Sequence, residues 1–173
     1  MRLADTALVI ILVAAAFFIG LNIGASYRVP TVQEVVDESS ISMITTKIGF
    51  TELNASIQDN TISLLGNCRL IQFDVTSDQA FSIALAITNT SSQRPLTHDI
   101  FKESLDNFGI QILQISIDRF EEEIYKATIY MRRGNVVLAL DARPSDSIAL
   151  AARYGLPLYM KTEILEEQGR YVC

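Results

Sequence analysis

Positive charge is the first shortage of this chain. Its 14 Lys and Arg residues stand against 20 Asp and Glu among 173 residues, a net charge of −6. That balance excludes a broad cationic surface for coating a nucleic-acid duplex. It leaves open an enzyme that meets nucleic acid through a small site. Cysteine is scarce too, with only Cys68 and Cys173. Two cysteines make no disulfide framework, and no Cys/His spacing fits zinc. Cys68 falls in an expected strand and reads as a buried free thiol. Cys173 is the last residue and is expected to be mobile. Histidine occurs once, at His98. Glycine-rich phosphate loops, Walker patterns and nucleophile elbows are absent. Tyr125 and Tyr130 lie at odd spacing in one expected strand, so they face opposite sides and form no stacking platform.

What is present begins with an apolar run from Ala7 to Ile19. Extended through Ile23, it reaches the ~17–20 residues that cross a bilayer as a helix. Arg2 precedes it and Arg28 follows. Ile23-Gly-Ala25 resembles a small-residue cleavage site, but the run is long for a signal core. The expectation is an uncleaved, single-pass N-terminal anchor over residues 1–28. The charge difference across it is too small to set which side of the membrane the domain faces. A linker over residues 29–40 follows, in which Thr31 would cap a short helix carrying Val32, Val35 and Val36. The domain proper is expected over residues 41–170.

Within it, Ile41–Phe50, Leu53–Ile57, Thr61–Leu65 and Arg69–Phe73 read as strands. Asp59-Asn60 and Gly66-Asn67 supply turns. Helices are expected over Gln79–Thr88 and from a Thr97 cap to Phe108, with Leu96 and Phe101 as a hydrophobic staple. Ile110–Ile117, Glu123–Arg132 and Val136–Asp141 are further strands. A helix over Ser145–Tyr154 ends at Gly155. A short extended piece, Leu158–Met160, and a helix over Thr162–Gln168 complete the chain.

Strands, two helices, strands, then two helices predict an α+β domain of two similar units. The units share a local pattern. A strand ending at Asp74, a short link, Ser77-Asp78 and a helix with Ile-Ala-Leu-Ala recur as Asp141, a short link, Ser145-Asp146 and Ile-Ala-Leu-Ala.

Two loops concentrate chemistry. In Asp141-Ala-Arg-Pro-Ser-Asp146, Ser145 and Asp146 can serve as helix cap and first-turn acid. Arg143, held extended before Pro144, can pair with Asp141. The functional alternative gives Asp141 and Asp146 a divalent cation and Arg143 a phosphate. Two carboxylates make a metal site only when a third ligand converges. The Arg94-Pro-Leu-Thr-His-Asp99 loop offers one. His98 is a candidate general acid or base, or an ordinary exposed first-turn residue. Asp99 can equally complement the helix dipole.

These two motifs, in this order and at this spacing, with Gly155-Leu-Pro-Leu-Tyr159 after them, resemble the bifunctional nuclease domain family over about residues 47–168. The resemblance implies a duplicated α+β fold, often oligomeric, and a nuclease acting on DNA and RNA. It implies site positions at Arg94, His98, Asp99, Asp141, Arg143, Ser145 and Asp146. The catalytic expectation falls on His98, Asp99, Asp141 and Asp146. Phosphate binding falls on Arg94, Arg143 and Ser145, and Mg2+ or Mn2+ on Asp141 and Asp146. The chain departs from the family pattern at Phe73–Gln79, where Gln79 stands about where an acid is expected.

Two functional expectations follow. One is a membrane-tethered, metal-dependent nuclease, a homo-oligomer with DNA or RNA as substrate. The other is a non-catalytic oligomeric scaffold at the membrane, favoured by the acidic charge and by Gln79.

Overall fold

Two-residue turns shape much of the sheet. The computed structural model describes residues 32–34, 42 and 46–173. Val32–Cys173 forms one unit. Strands β2 (Phe50–Gln58), β3 (Thr61–Gly66) and β4 (Arg69–Asp74) make an antiparallel meander. Asn67 and Cys68 both take positive φ, 45° and 60°, which is the backbone of a type I′ hairpin turn. Helices α1 (Ser77–Ile87) and α2 (Thr97–Asn107) follow. A second meander comprises β5 (Gln111–Glu121), β6 (Ile124–Arg133) and β7 (Val136–Ala142). Its first turn, Glu122-Glu123, again has two positive φ angles. Then come α3 (Pro144–Tyr154), β8 (Leu158–Lys161), α4 (Thr162–Gln168) and β9 (Arg170–Tyr171).

The strands join in one mixed sheet. With β1 (Val32–Glu34) at one edge, the order is β1-β7-β6-β5-β8-β2-β3-β4-β9. Only β5 and β8 run parallel. Strand β8 therefore sits between the two meanders, each of which ends in a strand-to-helix corner, at Asp74 and at Asp141–Ala142. With four helices among the described residues, this is the expected α+β class.

Burial explains the arrangement. In β3 the buried Ile62 and Leu64 alternate with more exposed neighbours, as a one-sided strand requires. In β5 the consecutive Ile115, Ser116 and Ile117 are all buried, so both faces of the sheet are covered there. Ile83 of α1 and Ile148 and Leu150 of α3 join that core. Gly155, at φ 61°, closes α3 in the left-handed conformation its sequence predicts.

Several expectations are corrected. The strand expected over 41–50 falls partly outside the described residues; at its described end Phe50 N donates to Lys47 O across a turn and the strand starts only at Phe50. The short helix expected around Val32 is not found there. Val32–Glu34 is instead an edge strand paired with Val136–Leu138 of β7. Cys68 is no free thiol in a strand, and Cys173 is no loose end. They form a disulfide across 105 residues. The β3–β4 turn brings Cys68 beside the returning C-terminus, where β9 pairs with β4 and Val172 N donates to Cys68 O.

The N-terminal anchor expectation lies outside the described residues. Among the described residues no helix is long and apolar enough to cross a membrane.

Candidate active site

Three helices begin at one place. The first turns of α1, α2 and α3 border a cavity of about 530 Å³. Asp78 and Gln79 enter it from α1, Thr97 and His98 from α2, and Arg143 and Asp146 from the start of α3. Asp141 reaches it from the end of β7. Helix N-termini carry unsatisfied N–H groups and the positive ends of helix dipoles. Three of them around one cavity offset part of the negative charge of Asp78, Asp141 and Asp146 there.

A chain of hydrogen bonds runs from the protein interior to the cavity wall. Arg153, in the last turn of α3, donates from Nε to Asp99 at 2.6 Å and from a terminal nitrogen to Ser82 Oγ at 3.1 Å. Ser82 Oγ lies 3.0 Å from His98 Nδ1. His98 Nε2 lies 3.3 Å from Asp146 Oδ1. Arg143 closes the chain, donating from Nε to Asp146 Oδ2 at 2.8 Å. The partners decide the tautomer. An ionised Asp146 can only accept, so the neutral ring turns its N–H at Nε2 to it and leaves Nδ1 to accept from the Ser82 hydroxyl, which itself accepts from Arg153. The His98 proton then sits on Nε2, aimed at the Asp146 carboxylate.

These contacts set the acidities. The His98 hydrogen bond holds the Asp146 carboxyl below the usual carboxylate range; burial opposes it and Arg143 adds to it. Burial pushes the Asp99 carboxyl up. The Arg153 and Leu96 hydrogen bonds together outweigh that and leave it lowered. Both acids are therefore ionised at neutral pH.

The expected site residues divide into two groups. His98, Asp141, Arg143 and Asp146 line the one cavity. Arg94, Asp99 and Ser145 do not line it. Arg94 is exposed, and its carbonyl accepts from Ser92 Oγ. Asp99 reaches back to Leu96 N at 2.7 Å, which makes Leu96 the N-cap of α2 and Thr97 its first residue. The expected Thr97 cap is corrected, and the Leu96–Phe101 staple loses its spacing with it. Ser145 is not the cap of α3 either. Pro144 starts that helix, Arg143 occupies the cap position, and Ser145 is only 5% exposed. Its hydroxyl accepts from Gln79 Nε2 at 3.1 Å.

Arg143 does not pair with Asp141. Arg119 does, at 2.6 Å. A register shift between β5 and β6 falls at Ile117/Arg119, and Arg119 beside it reaches across β6 to β7. The departure at Gln79 also has a structural account. Its Oε1 accepts from Thr76 N at 3.0 Å, closing a capping box on α1, while its Nε2 ties α1 to α3.

Reasoning from the sequence missed Arg153 and Ser82. In sequence Arg153 is an ordinary cation in a last helical turn. Only the packing of α3 against α1 and α2 turns it inward.

The donor set does not fit a resident metal ion. Among the described residues no three His, Cys, Asp or Glu side chains are grouped to hold one. Both Asp146 oxygens already accept from His98 and Arg143, and Asp141 accepts from Arg119.

The fold and the cavity thus define an α+β protein with a bonded His98–Asp146 pair at a cleft bordered by three helix N-termini. The bifunctional nuclease domain model matches residues 66–172, more than half of the chain, and the chain belongs to that family. An uncharacterised protein of Mycobacterium tuberculosis is 30% identical over 101 residues, 58% of this chain and 60% of that protein. Bifunctional nuclease 1 of Arabidopsis thaliana is 28% identical over 50% of this chain and 28% of its own length. Bifunctional nuclease 2 of Oryza sativa subsp. japonica is 24% identical over 60% of this chain and 33% of its own length. The chain therefore spans 60% or less of these relatives.

Proposed function

We propose that the chain is a nuclease that hydrolyses phosphodiester bonds of DNA or RNA in the cavity between α1, α2 and α3. One observation carries the reading. His98 and Asp146, from two motif loops 48 residues apart, meet at 3.3 Å where three helix N-termini converge. A carboxylate bonded to an imidazole is a pairing that moves protons to and from reacting oxygens. In hydrolysis a water oxygen adds to phosphorus and the bond to the leaving oxygen breaks. The water loses one proton and the leaving oxygen gains one. Both ring nitrogens of His98 are engaged, so the Asp146 carboxylate, oriented by His98 and Arg143, is the group placed to take the proton from water and return it to the leaving oxygen. Arg143 spends part of its guanidinium on Asp146, and its remaining N–H groups are the donors for a phosphate oxygen. Family membership supports the reaction class.

Metal dependence is a separate proposal. Mg2+ is commonly held by one or two carboxylates together with substrate phosphates. An ion here would therefore arrive with substrate, and no step above is routed through it. The two meander-and-corner units are read as an internal repeat. We also infer a membrane tether from the apolar run at 7–19, and self-association from the family resemblance.

The test is cleavage of end-labelled single-stranded RNA and DNA by the full chain, with EDTA, Mg2+ or Mn2+ as parallel arms. His98→Gln and Asp146→Asn are expected to lower the rate about 10²–10⁴-fold. Cleavage that survives both substitutions in one chain identifies a contaminant and overturns the assignment. A folded chain without cleavage in any arm favours a scaffold.

A further inference from the structure

The cavity is also lined by apolar side chains that the hydrolytic groups do not use. Phe81, Leu96, Phe101, Leu140 and Leu150 line it. Phe81 is 54% exposed on α1, although its neighbour Ala80 and nearby Ile83 are buried. A large ring left open to solvent in the same cavity as Arg143 offers a stacking surface. A volume of about 530 Å³ lies within the ~300–1,000 Å³ of clefts that enclose small ligands.

We propose that this apolar lining receives one unstacked nucleobase of a single-stranded nucleic acid, whose adjoining phosphate lies at Arg143 and the helix N-termini. The proposal deepens the nuclease reading and rests on it for the phosphate. Two further observations favour a base as occupant. Apolar side chains and Arg143 line one and the same cavity, so a ligand filling it carries both an apolar and an anionic part. The net charge of −6 also removes the usual source of nucleic-acid affinity, many phosphates on a basic track. Stacking on Phe81 supplies what charge does not. A base inside a duplex has both faces covered by its neighbours and must be flipped out before it can meet Phe81. The site therefore selects single strands.

The experiment uses the full chain and a short oligonucleotide carrying one fluorescent adenine analogue, single-stranded or annealed to its complement. Stacking on Phe81 quenches the analogue. The expected results are binding of the single strand about tenfold tighter than of the duplex, with quenching. Affinity should fall with salt at a log–log slope near −0.7, that of one phosphate on a single strand. Phe81→Ala loses about tenfold in single-strand affinity and loses the quench. Phe81→Trp keeps both, and thermal melting of each variant reports folding. Equal affinity for strand and duplex, or unchanged affinity in a folded Phe81→Ala, overturns the proposal. So does a Phe81→Ala chain that binds normally but drops from a larger assembly to a monomer, because the occupant is then a second copy.

The two readings fail separately. Quenching without cleavage leaves the base site standing and removes the nuclease. Cleavage of strand and duplex alike, unaffected by Phe81→Ala, removes the base site and leaves the nuclease.

Discussion

Arg153 and Asp99 meet at 2.6 Å, and the same guanidinium reaches Ser82, the residue that faces the His98 ring. The arginine side chain is only 6% exposed. It joins α3 to α1 and α2 and also holds the Ser82 hydroxyl that faces His98 Nδ1.

Arg153→Ala removes these bonds and leaves Asp99 with only the Leu96 N–H as donor, its Oδ1 stripped of a charged partner. The expected destabilisation is about 2–4 kcal/mol, below the full cost of a broken buried pair because Asp99 is partly exposed. Urea unfolding measures it. Nitrogen NMR of His98 is expected to show the Nε2–H tautomer in the native chain.

Asp146 predicts an acid limb in the stability profile. Its folded-state pKa lies below the unfolded value of about 3.9. The linked stability is thus fully present above the unfolded value and is lost as pH falls through the folded one. Asp99 is lowered as well and acts in the same window. Thermal melting between neutral pH and strong acid is expected to fall less steeply below about pH 4 for Asp146→Asn than for the native chain. An unchanged limb would show that the His98 and Arg143 contacts do not hold Asp146 in solution.

Gln79→Glu restores an acid where the family resemblance leads one to expect it. A carboxylate can still accept from Thr76 N, and the Ser145 hydroxyl can reverse and donate to it. Stability is expected to change by less than about 1 kcal/mol. The added charge joins Asp78, Asp141 and Asp146 at the cavity, so oligonucleotide affinity should fall without metal. Calorimetry with Mn2+ shows whether the extra carboxylate raises metal affinity. A loss of several kcal/mol in stability would mean that the amide proton donated to Ser145 is indispensable.

The Cys68–Cys173 disulfide closes a loop of roughly 100 residues, for which chain-entropy estimates give about 4–5 kcal/mol and practice about 2–4. Cys173→Ser, or a reducing agent, is expected to lower the melting temperature and release β9 from β4. Amide exchange of Leu70 and Tyr171 reports that release. Equal melting temperatures with and without reductant would contradict a formed bond.

Much of the local structure was legible from the chain. The Ser77-Asp78 helix start, the Gly155 stop and the turns at Asp59 and Asn67 all follow from short-range sterics and capping. Which residue caps a helix was less legible. A carboxylate three residues on, at Asp99, displaced Thr97, and Pro144 at the first helical position displaced Ser145. The edge strands were not legible either, because three residues at Val32–Glu34 and two at Arg170–Tyr171 carry no periodicity. Their pairing depends on what the rest of the sheet presents.

By itself the sequence determined the family, the α+β class and the two loops worth watching, since motif order and periodicity are properties of neighbours along the chain. Tertiary structure alone decided that His98, Asp141, Arg143 and Asp146 share a cavity while Arg94, Asp99 and Ser145 do not line it. It also decided that Arg119 rather than Arg143 holds Asp141, that Arg153 holds the Ser82 hydroxyl facing His98, and that Cys68 finds Cys173. Each of these relations joins residues separated by 20 positions or more, or depends on which way a packed element turns its side chain, and local preference encodes neither.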